Sequence, residues 1–242
     1  MDNYVQLSYV LLAVLVLGTL ACLPFYGWNV IKLIRSDLFV KCIMWIPIYL
    51  VFTLIVFSPY YTGVIAVFLT IAIGSLEFHR QTRKRTTKRA IGYLLLFIVM
   101  ALCMAGLFIV LPYNFRPVVV AVGISSAMSD VFAFFSDKFL GSYKLPKWIS
   151  PDKSWQGVIG QIIGGTVGML IVIVAYQSSV PLTLAFGVII GCASALGDIA
   201  NSIAKRSLKI KDWSHAIPGH GGFLDRFSSL MAAFAVAFLI IV

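Results

Sequence analysis

Three aspartates stand in strongly apolar stretches of this 242-residue chain. Asp130 lies within VGISSAMSDVFAFF, Asp198 lies within GCASALGDIANSIAKR, and Asp225 opens the last apolar run after a glycine-rich turn. A carboxylate in such a setting is costly unless it is paired, solvated or bound to metal, so we interpret all three as functional. By contrast, Glu77 lies at the end of an apolar run, where an acid costs little.

Asp198 belongs to a polar stripe. The residues Ser194, Asp198, Asn201, Ser202 and Lys205 follow spacings of four, three, one and three, which place them on one face of a helix. Small polar residues also join membrane helices to one another, and this structural role is the alternative. Because helix association rarely requires an aspartate, we favour a functional site.

The segment after this helix combines an irregular backbone with positive charge. The turn contains Pro218, Gly219, Gly221 and Gly222, which let a backbone approach a ligand closely. It leads directly into a helix start, where anions such as phosphate are favoured. The carboxylates of Asp198 and Asp225, among bases and backbone amides, suggest a Mg²⁺–polyphosphate site. The bases nearby are Lys205, Arg206, Lys209 and Lys211.

Two further features could contact phosphate. His220 sits between glycines, where it could bind phosphate or transfer a proton. The segment SPDKSWQG, residues 150–157, precedes a helix and carries Lys153 between two hydroxyl residues. This pattern predicts a phosphate-contacting helix entry. Ser154 also suits an ordinary N-cap, and the two roles are compatible.

The elements that must position these residues are membrane helices. The chain is 60% hydrophobic and 12% charged, whereas a soluble domain has roughly 25% charged residues. We therefore predict an all-α polytopic membrane protein of about eight transmembrane helices, with N-terminal helices in residues 1–116 and a catalytic region in residues 117–242. The predicted spans are 5–24, 42–58, 60–76, 91–112, 117–136, 157–176, 182–204 and 223–242.

The basic residues orient this array. All but two of the 19 Lys and Arg residues lie in alternate loops, so the positive-inside rule puts both termini outside and the aspartate site at the cytoplasmic face. The first span lacks a basic leader and a cleavage site, which predicts a retained helix. Because the charge lies in short loops between spans, we expect contact with anionic membrane lipids and no nucleic acid.

Together these segments resemble the phosphatidate cytidylyltransferase family, also called CDP-diacylglycerol synthase. The family's C-terminal signature is S-x-[apolar]-K-R-x4-K-D-x-[small]-x2-[apolar]-P-G-H-G-G-[apolar]-x-D-R-[apolar]-D. Here it reads SIAKR at 202–206, KD at 211–212 and PGHGGFLDRFS at 218–228. The upstream segment S-P-x-K-[ST]-x-E-G appears at 150–157, and a family aspartate falls on Asp130. The resemblance covers about residues 120–242.

The resemblance implies a reaction in which CTP and phosphatidate give CDP-diacylglycerol and pyrophosphate with Mg²⁺. It implies that Asp198 and Asp225 bind the metal, that a second, monovalent cation could assist, and that the chain forms a homodimer. We expect a catalytic set of Asp198, Asp225, Lys205, Arg206 and His220. The expected substrate-binding set is Lys153, Ser154, Asp130, Asn201, Ser202, Lys211, Asp212, Pro218, Gly219, Gly221, Gly222 and Arg226.

Three departures from the family pattern remove charge near the site. Ser228 replaces the final signature aspartate, Gln156 replaces a glutamate, and Ser142 replaces a basic residue after Gly141. They leave open a different lipid phosphate as substrate, or a non-catalytic paralogue that binds nucleotide or lipid. A transporter or channel is a further alternative, but the polar residues gather at one edge and do not continue across the bilayer.

Overall fold

The computed structural model describes residues 28–34, 36, 39, 48, 50–83, 85–111, 116–176, 179–216 and 221–242. Within these ranges the architecture is helical. A short helix covers Val30–Ile34, and residues 50–57 are also helical. The long helices are α1 (Tyr60–Thr82), α2 (Lys88–Val110), α3 (Arg116–Phe139), α4 (Trp155–Tyr176), α5 (Val180–Leu208) and α6 (Phe223–Ile241).

Five of the described helices are long and apolar enough to cross a membrane. They present large apolar side chains to the outside, such as Leu95, Val99 and Leu102 on α2. Chains of this kind are integral multi-pass membrane proteins. The five candidate spans are Tyr60–Thr82, Lys88–Val110, Val118–Phe139, Val180–Ser207 and Phe223–Ile241.

The prediction of an all-α polytopic membrane protein is thus confirmed. The predicted runs from 60–76 onward each fall on one of the long helices, although α1 and α5 extend several residues further. The predicted span 5–24 and most of 42–58 lie outside the described residues. Eight spans, outward termini and the division at residue 116 therefore stay predictions.

Small residues let α3, α4 and α5 approach one another closely. A Cβ atom added at Gly168 on α4 would lie 2.6 Å from the Cα atom of Ser125 on α3. A Cβ atom at Gly191 on α5 would lie 2.7 Å from the Cα atom of Ile162 on α4. Side chains larger than glycine would therefore separate these helices. This packing brings the polar side chains of the three helices together at one end.

The N-terminal helices of the described bundle, α1 and α2, support α6 and the loop before it. Phe97 on α2 and both Leu224 and Phe234 on α6 are fully buried. Trp213, from the α5–α6 loop, is also fully buried and packs against the rings of Phe78 and Tyr93. A loop that carries signature residues is therefore anchored in the hydrophobic core.

Candidate functional site

A cavity of about 210 Å³ opens at the end of the bundle where α3 and α5 finish and α4 and α6 begin. Ten of the predicted site residues lie around it. The lining comprises Asp130, Ala133, Phe134, Asp137, Lys153, Ser154, Gly157, Val158, Gln161, Asp198, Asn201, Ser202, Lys205, Asp212, Asp225 and Arg226.

Asp198 is held by three side chains from two other elements. Its Oδ2 atom accepts from Lys153 Nζ at 2.9 Å and from Gln161 Nε2 at 3.0 Å, both near the start of α4. Its Oδ1 atom accepts from Ser228 Oγ on α6 at 3.0 Å. The carboxylate is therefore paired with a cation and fixed in orientation. Gln161 was not predicted from the sequence.

Asp225 is held by a cation and by two backbone amides. Its Oδ1 atom accepts from Lys205 Nζ at 2.6 Å, and both side chains of this ion pair are largely buried, with exposures of 3% and 13%. Its Oδ2 atom accepts from the backbone N–H groups of Trp213 and Gly222, each at 2.9 Å. The ion pair and the two amide bonds compensate the burial of this carboxylate.

Asp130 is another of the five aspartates that line the cavity. Its Oδ2 atom accepts from Ser229 Oγ on α6 at 3.0 Å. Its Oδ1 atom is buried and has no hydrogen-bond partner among the described residues. A buried acceptor without a donor is energetically costly. A ligand or a cation bound at this oxygen would therefore be stabilised.

The helix entry at Ser154 has the predicted cap and an unpredicted partner. Ser154 Oγ accepts from the Gly157 N–H group at 3.1 Å, which confirms the N-cap. Asp137 Oδ1 in turn accepts from Ser154 N at 2.7 Å and from Ser154 Oγ at 2.6 Å. Asp137 lies seven residues after Asp130, on the same helix face, and this spacing was the available signal.

The start of α6 corrects the expectation for Glu77. Glu77 is not a low-cost terminal acid, because it is 7% exposed and accepts from Phe223 N at 3.0 Å and Leu224 N at 2.7 Å. It also accepts from Ser214 Oγ. Together with Asp225, Glu77 occupies the first backbone donors of the helix. These backbone N–H groups thus already donate to the chain's own carboxylates, and a phosphate contact at this helix start stays a prediction.

Some predicted site residues lie elsewhere. Arg206 donates to Ile210 O at 3.2 Å and lies 3.8 Å from Asp152, away from the cavity lining. Lys211 is exposed and does not line the cavity. Gly221 has a φ of 80°, which confirms an irregular backbone at that position. The Gly222 N–H group donates to Asp225, and a side chain at this position would collide with Glu77. Pro218, Gly219 and His220 lie outside the described residues.

The residues of the predicted polar stripe on α5 have two different roles. Ser194 donates to Ser126 Oγ on α3 at 3.3 Å, so this member joins helices. The members closer to the loop line the cavity, as the functional interpretation expects. Asn201 differs from the others because both ends of its amide are engaged within the protein, by Trp213 on one side and α6 on the other.

Two of the three departures from the family pattern, Ser228 and Gln156, make hydrogen bonds near the site. Ser228 supplies the hydroxyl that reaches Asp198. Gln156 Oε1 accepts from the Tyr143 N–H group at 3.2 Å, which helps to close the loop before α4. An isolated antiparallel bridge between Lys144 and Ser154 holds the same loop. Two of the substituted positions therefore stabilise the site's surroundings.

The donor set suits a divalent cation shared with a substrate. Among the described residues, no three His, Cys, Asp or Glu side chains lie close enough to hold a metal on their own. Mg²⁺, however, commonly takes one or two carboxylates and completes its shell with water and substrate phosphates. Asp198 and Asp225 each accept three hydrogen bonds from described residues, and a carboxylate offers about four lone-pair sites. One position on each Oδ1 atom therefore remains.

Comparison with known proteins identifies the family. A family model described as "Cytidylyltransferase family" matches residues 3–242, so the chain belongs to the cytidylyltransferase family. This confirms the resemblance found in the sequence.

Curated relatives match about half of the chain. A phosphatidate cytidylyltransferase of Mycobacterium bovis is 31% identical over 140 residues, which cover 57% of this chain and 46% of the relative. One of Brucella abortus is 35% identical over 132 residues, 53% and 47% respectively. One of Haemophilus influenzae is 38% identical over 128 residues, 50% and 44%. The chain therefore spans a little under half the length of the curated relatives it matches.

Proposed function

We propose that this member of the cytidylyltransferase family condenses CTP with phosphatidate to give CDP-diacylglycerol and pyrophosphate, with Mg²⁺, at the cytoplasmic face of a membrane. The observation that carries the proposal is the convergence of two lysine–carboxylate pairs, Lys153–Asp198 and Lys205–Asp225, on one cavity at the end of a membrane bundle. The relatives, which are phosphatidate cytidylyltransferases, supply the nucleotide and lipid classes.

The proposed reaction is a single phosphoryl-centred displacement. An oxygen of the lipid phosphate forms a bond to the α-phosphorus of CTP. The bond from that phosphorus to the β-phosphate oxygen breaks, and pyrophosphate leaves with the electron pair. No covalent intermediate on the protein is needed, so positioning and charge neutralisation account for the catalysis.

The two lysines suit this task because each is already held at the cavity by its carboxylate. A lysine ammonium has three donors, and each of these uses one on an aspartate. The remaining donors can contact phosphate oxygens, while Arg226, which also lines the cavity, adds a third cation. Asp198 and Asp225 would hold Mg²⁺, which as a Lewis acid would polarise a phosphate oxygen.

The cavity volume fits the phosphate groups better than whole substrates. At about 210 Å³ it lies below the roughly 300–1,000 Å³ of pockets that enclose drug-sized ligands. The acidic and basic lining suits a metal–phosphate cluster, with the nucleoside and the acyl chains extending outside it. The larger apolar residues of the lining are Phe134 on α3 and Val158 on α4.

The proposed activity and its substrate specificity are tested with a panel of lipid phosphates. We expect the purified chain in lipid nanodiscs to release pyrophosphate and form CDP-lipid from CTP, Mg²⁺ and phosphatidate. A curated relative serves as the positive control. If the relative is active and this chain makes no CDP-lipid from phosphatidate or any other lipid phosphate, the proposal fails. Turnover of another lipid phosphate alone would assign the same chemistry to a different lipid.

A non-catalytic, ligand-binding paralogue is the second candidate. The replacement of the final signature aspartate by Ser228 favours it, since one carboxylate is lost beside the proposed metal site. Binding of CTP with Mg²⁺, without turnover of any lipid in the panel, would support this candidate over the first.

A further inference from the structure

We propose that Trp213, Asn201 and Ser228 form a hydrogen-bonded relay that positions Asp198, and that Trp213 also positions Asp225. The two proposed metal ligands would then depend on one buried residue of the α5–α6 loop, Asp198 through its side chain and Asp225 through its backbone. The inference rests on the proposed function for its catalytic consequence, whereas the relay itself is a matter of geometry.

The relay runs through three buried residues to the carboxylate. Trp213 Nε1 donates to Asn201 Oδ1 at 2.7 Å. Asn201 Nδ2 donates to Ser228 Oγ at 3.3 Å and to Leu224 O at 3.4 Å. Ser228 Oγ then donates to Asp198 Oδ1 at 3.0 Å. Trp213 and Ser228 are fully buried and Asn201 is nearly so, which excludes competing bulk water.

The direction of the relay follows from the chemistry of its first member. An indole N–H group can only donate, so Asn201 must turn its amide oxygen toward Trp213. The amide NH₂ group then faces Ser228, whose oxygen receives it. The serine hydroxyl proton is consequently free to point at Asp198. All donors run toward the anion, and hydrogen bonds aligned in this way strengthen one another in a buried site.

The second arm of Trp213 reaches Asp225 through the backbone. Trp213 N donates to Asp225 Oδ2 at 2.9 Å, and Gln81 Nε2 on α1 donates to Trp213 O at 2.6 Å. The indole ring stacks on Tyr93 of α2 at 6.0 Å between ring centroids, with an angle of 12° between the planes. Trp213 therefore fixes the spacing of the two carboxylates relative to α1 and α2.

The relay also gives a reason for the serine at position 228. A carboxylate there would face the Oδ1 atom of Asp198, to which the serine now donates at 3.0 Å. Two buried carboxylates this close repel each other. Ser228 supplies a donor instead. It is thus a positioning residue adapted to this chain.

The test measures Mn²⁺ binding to the full chain in nanodiscs, by electron paramagnetic resonance without lipid substrate, alongside CDP-lipid formation. Trp213→Phe keeps an aromatic ring and removes the indole N–H group, while Ser228→Ala removes one oxygen atom. We expect each variant to weaken Mn²⁺ binding about tenfold, as loss of a residue behind a metal ligand typically does. The double variant should lose no more than either single one, because the relay is interrupted once.

Ser125→Ala is the matched control. Ser125 is also a fully buried serine, but its hydroxyl donates to Gly165 O at 2.6 Å between α3 and α4, away from the cavity lining. This variant should bind Mn²⁺ as the wild type does.

Ser228→Asp should lower CDP-lipid formation, since it places a second carboxylate beside Asp198.

Several results would overturn the relay. They are wild-type Mn²⁺ affinity in Ser228→Ala, losses that multiply in the double variant, increased activity in Ser228→Asp, or a wild type that binds no Mn²⁺. Ser228→Ala decides the matter if Trp213→Phe does not fold. If the wild type binds Mn²⁺ and makes no CDP-lipid, the proposed function fails, and the Mn²⁺ measurements still judge the relay.

Discussion

Asp198 and Asp225 are both paired with lysine, but their remaining hydrogen bonds come from different kinds of donor. Asp198 is held by side chains only, namely Lys153, Gln161 and Ser228. Asp225 accepts two backbone amides in addition to Lys205. Backbone donors are fixed by the fold, whereas side-chain donors can be removed singly. Asp198 is therefore the carboxylate whose orientation point mutations can alter most directly.

Ser154 allows its two predicted roles to be separated. Its hydroxyl bridges Asp137 and the Gly157 amide, so Ser154→Ala should lower the unfolding free energy by about 1 kcal/mol. Ser154→Thr keeps the hydroxyl and should restore most of the loss. Thermal unfolding in detergent and the KM for CTP are measured together. An unchanged melting temperature with a KM raised tenfold would show a substrate contact instead of a cap.

The position of the start of helix α6 depends on its contact with helix α1. Glu77, near the end of α1, takes two backbone N–H groups at the start of α6 and the hydroxyl of Ser214 in the loop before it. Because Asp225 lies in the first turn of α6, the position of this carboxylate depends on the contact between the two helices. The N-terminal helices thus contribute to a site whose signature lies in the C-terminal half.

Glu77→Ala should therefore reduce both stability and turnover. It leaves buried donors without an acceptor, at a cost of about 1–3 kcal/mol for a buried group. Glu77→Gln keeps one acceptor oxygen and should be milder. Leu76→Ala is the matched control, because the neighbouring Leu76 is 59% exposed on the same helix. Comparable melting temperatures for Glu77→Ala and Leu76→Ala would contradict this role.

At the scale of the whole molecule, hydropathy was sufficient for the fold class and for the approximate positions of the long helices. Spacing and signature also brought Asp198, Lys205 and Asp225 together correctly, because those contacts lie within one helix or one helix–loop–helix unit. Lys153 was predicted too, since its segment carried a recognisable pattern.

The contacts that the sequence did not reveal join distant parts of the chain. Glu77 and Phe223 are 146 positions apart, and Gln81 and Trp213 are 132 apart. Nothing in the local pattern of an apolar run says which distant loop a terminal glutamate or a buried tryptophan will meet. Only the packing of α1 and α2 against the α5–α6 loop determines these partners.

We propose that Asp198 and Asp225 together support Mg²⁺-dependent cytidylyl transfer. The deciding measurement compares CDP-diacylglycerol formation by the wild type, Asp198→Asn and Asp225→Asn across a range of Mg²⁺ concentrations, with Ser125→Ala as the control. We expect the wild type and the control to require Mg²⁺ and each asparagine variant to lose at least about 100-fold in kcat. Wild-type turnover in either asparagine variant, or turnover without Mg²⁺, would show that the two aspartates do not act together through a metal ion.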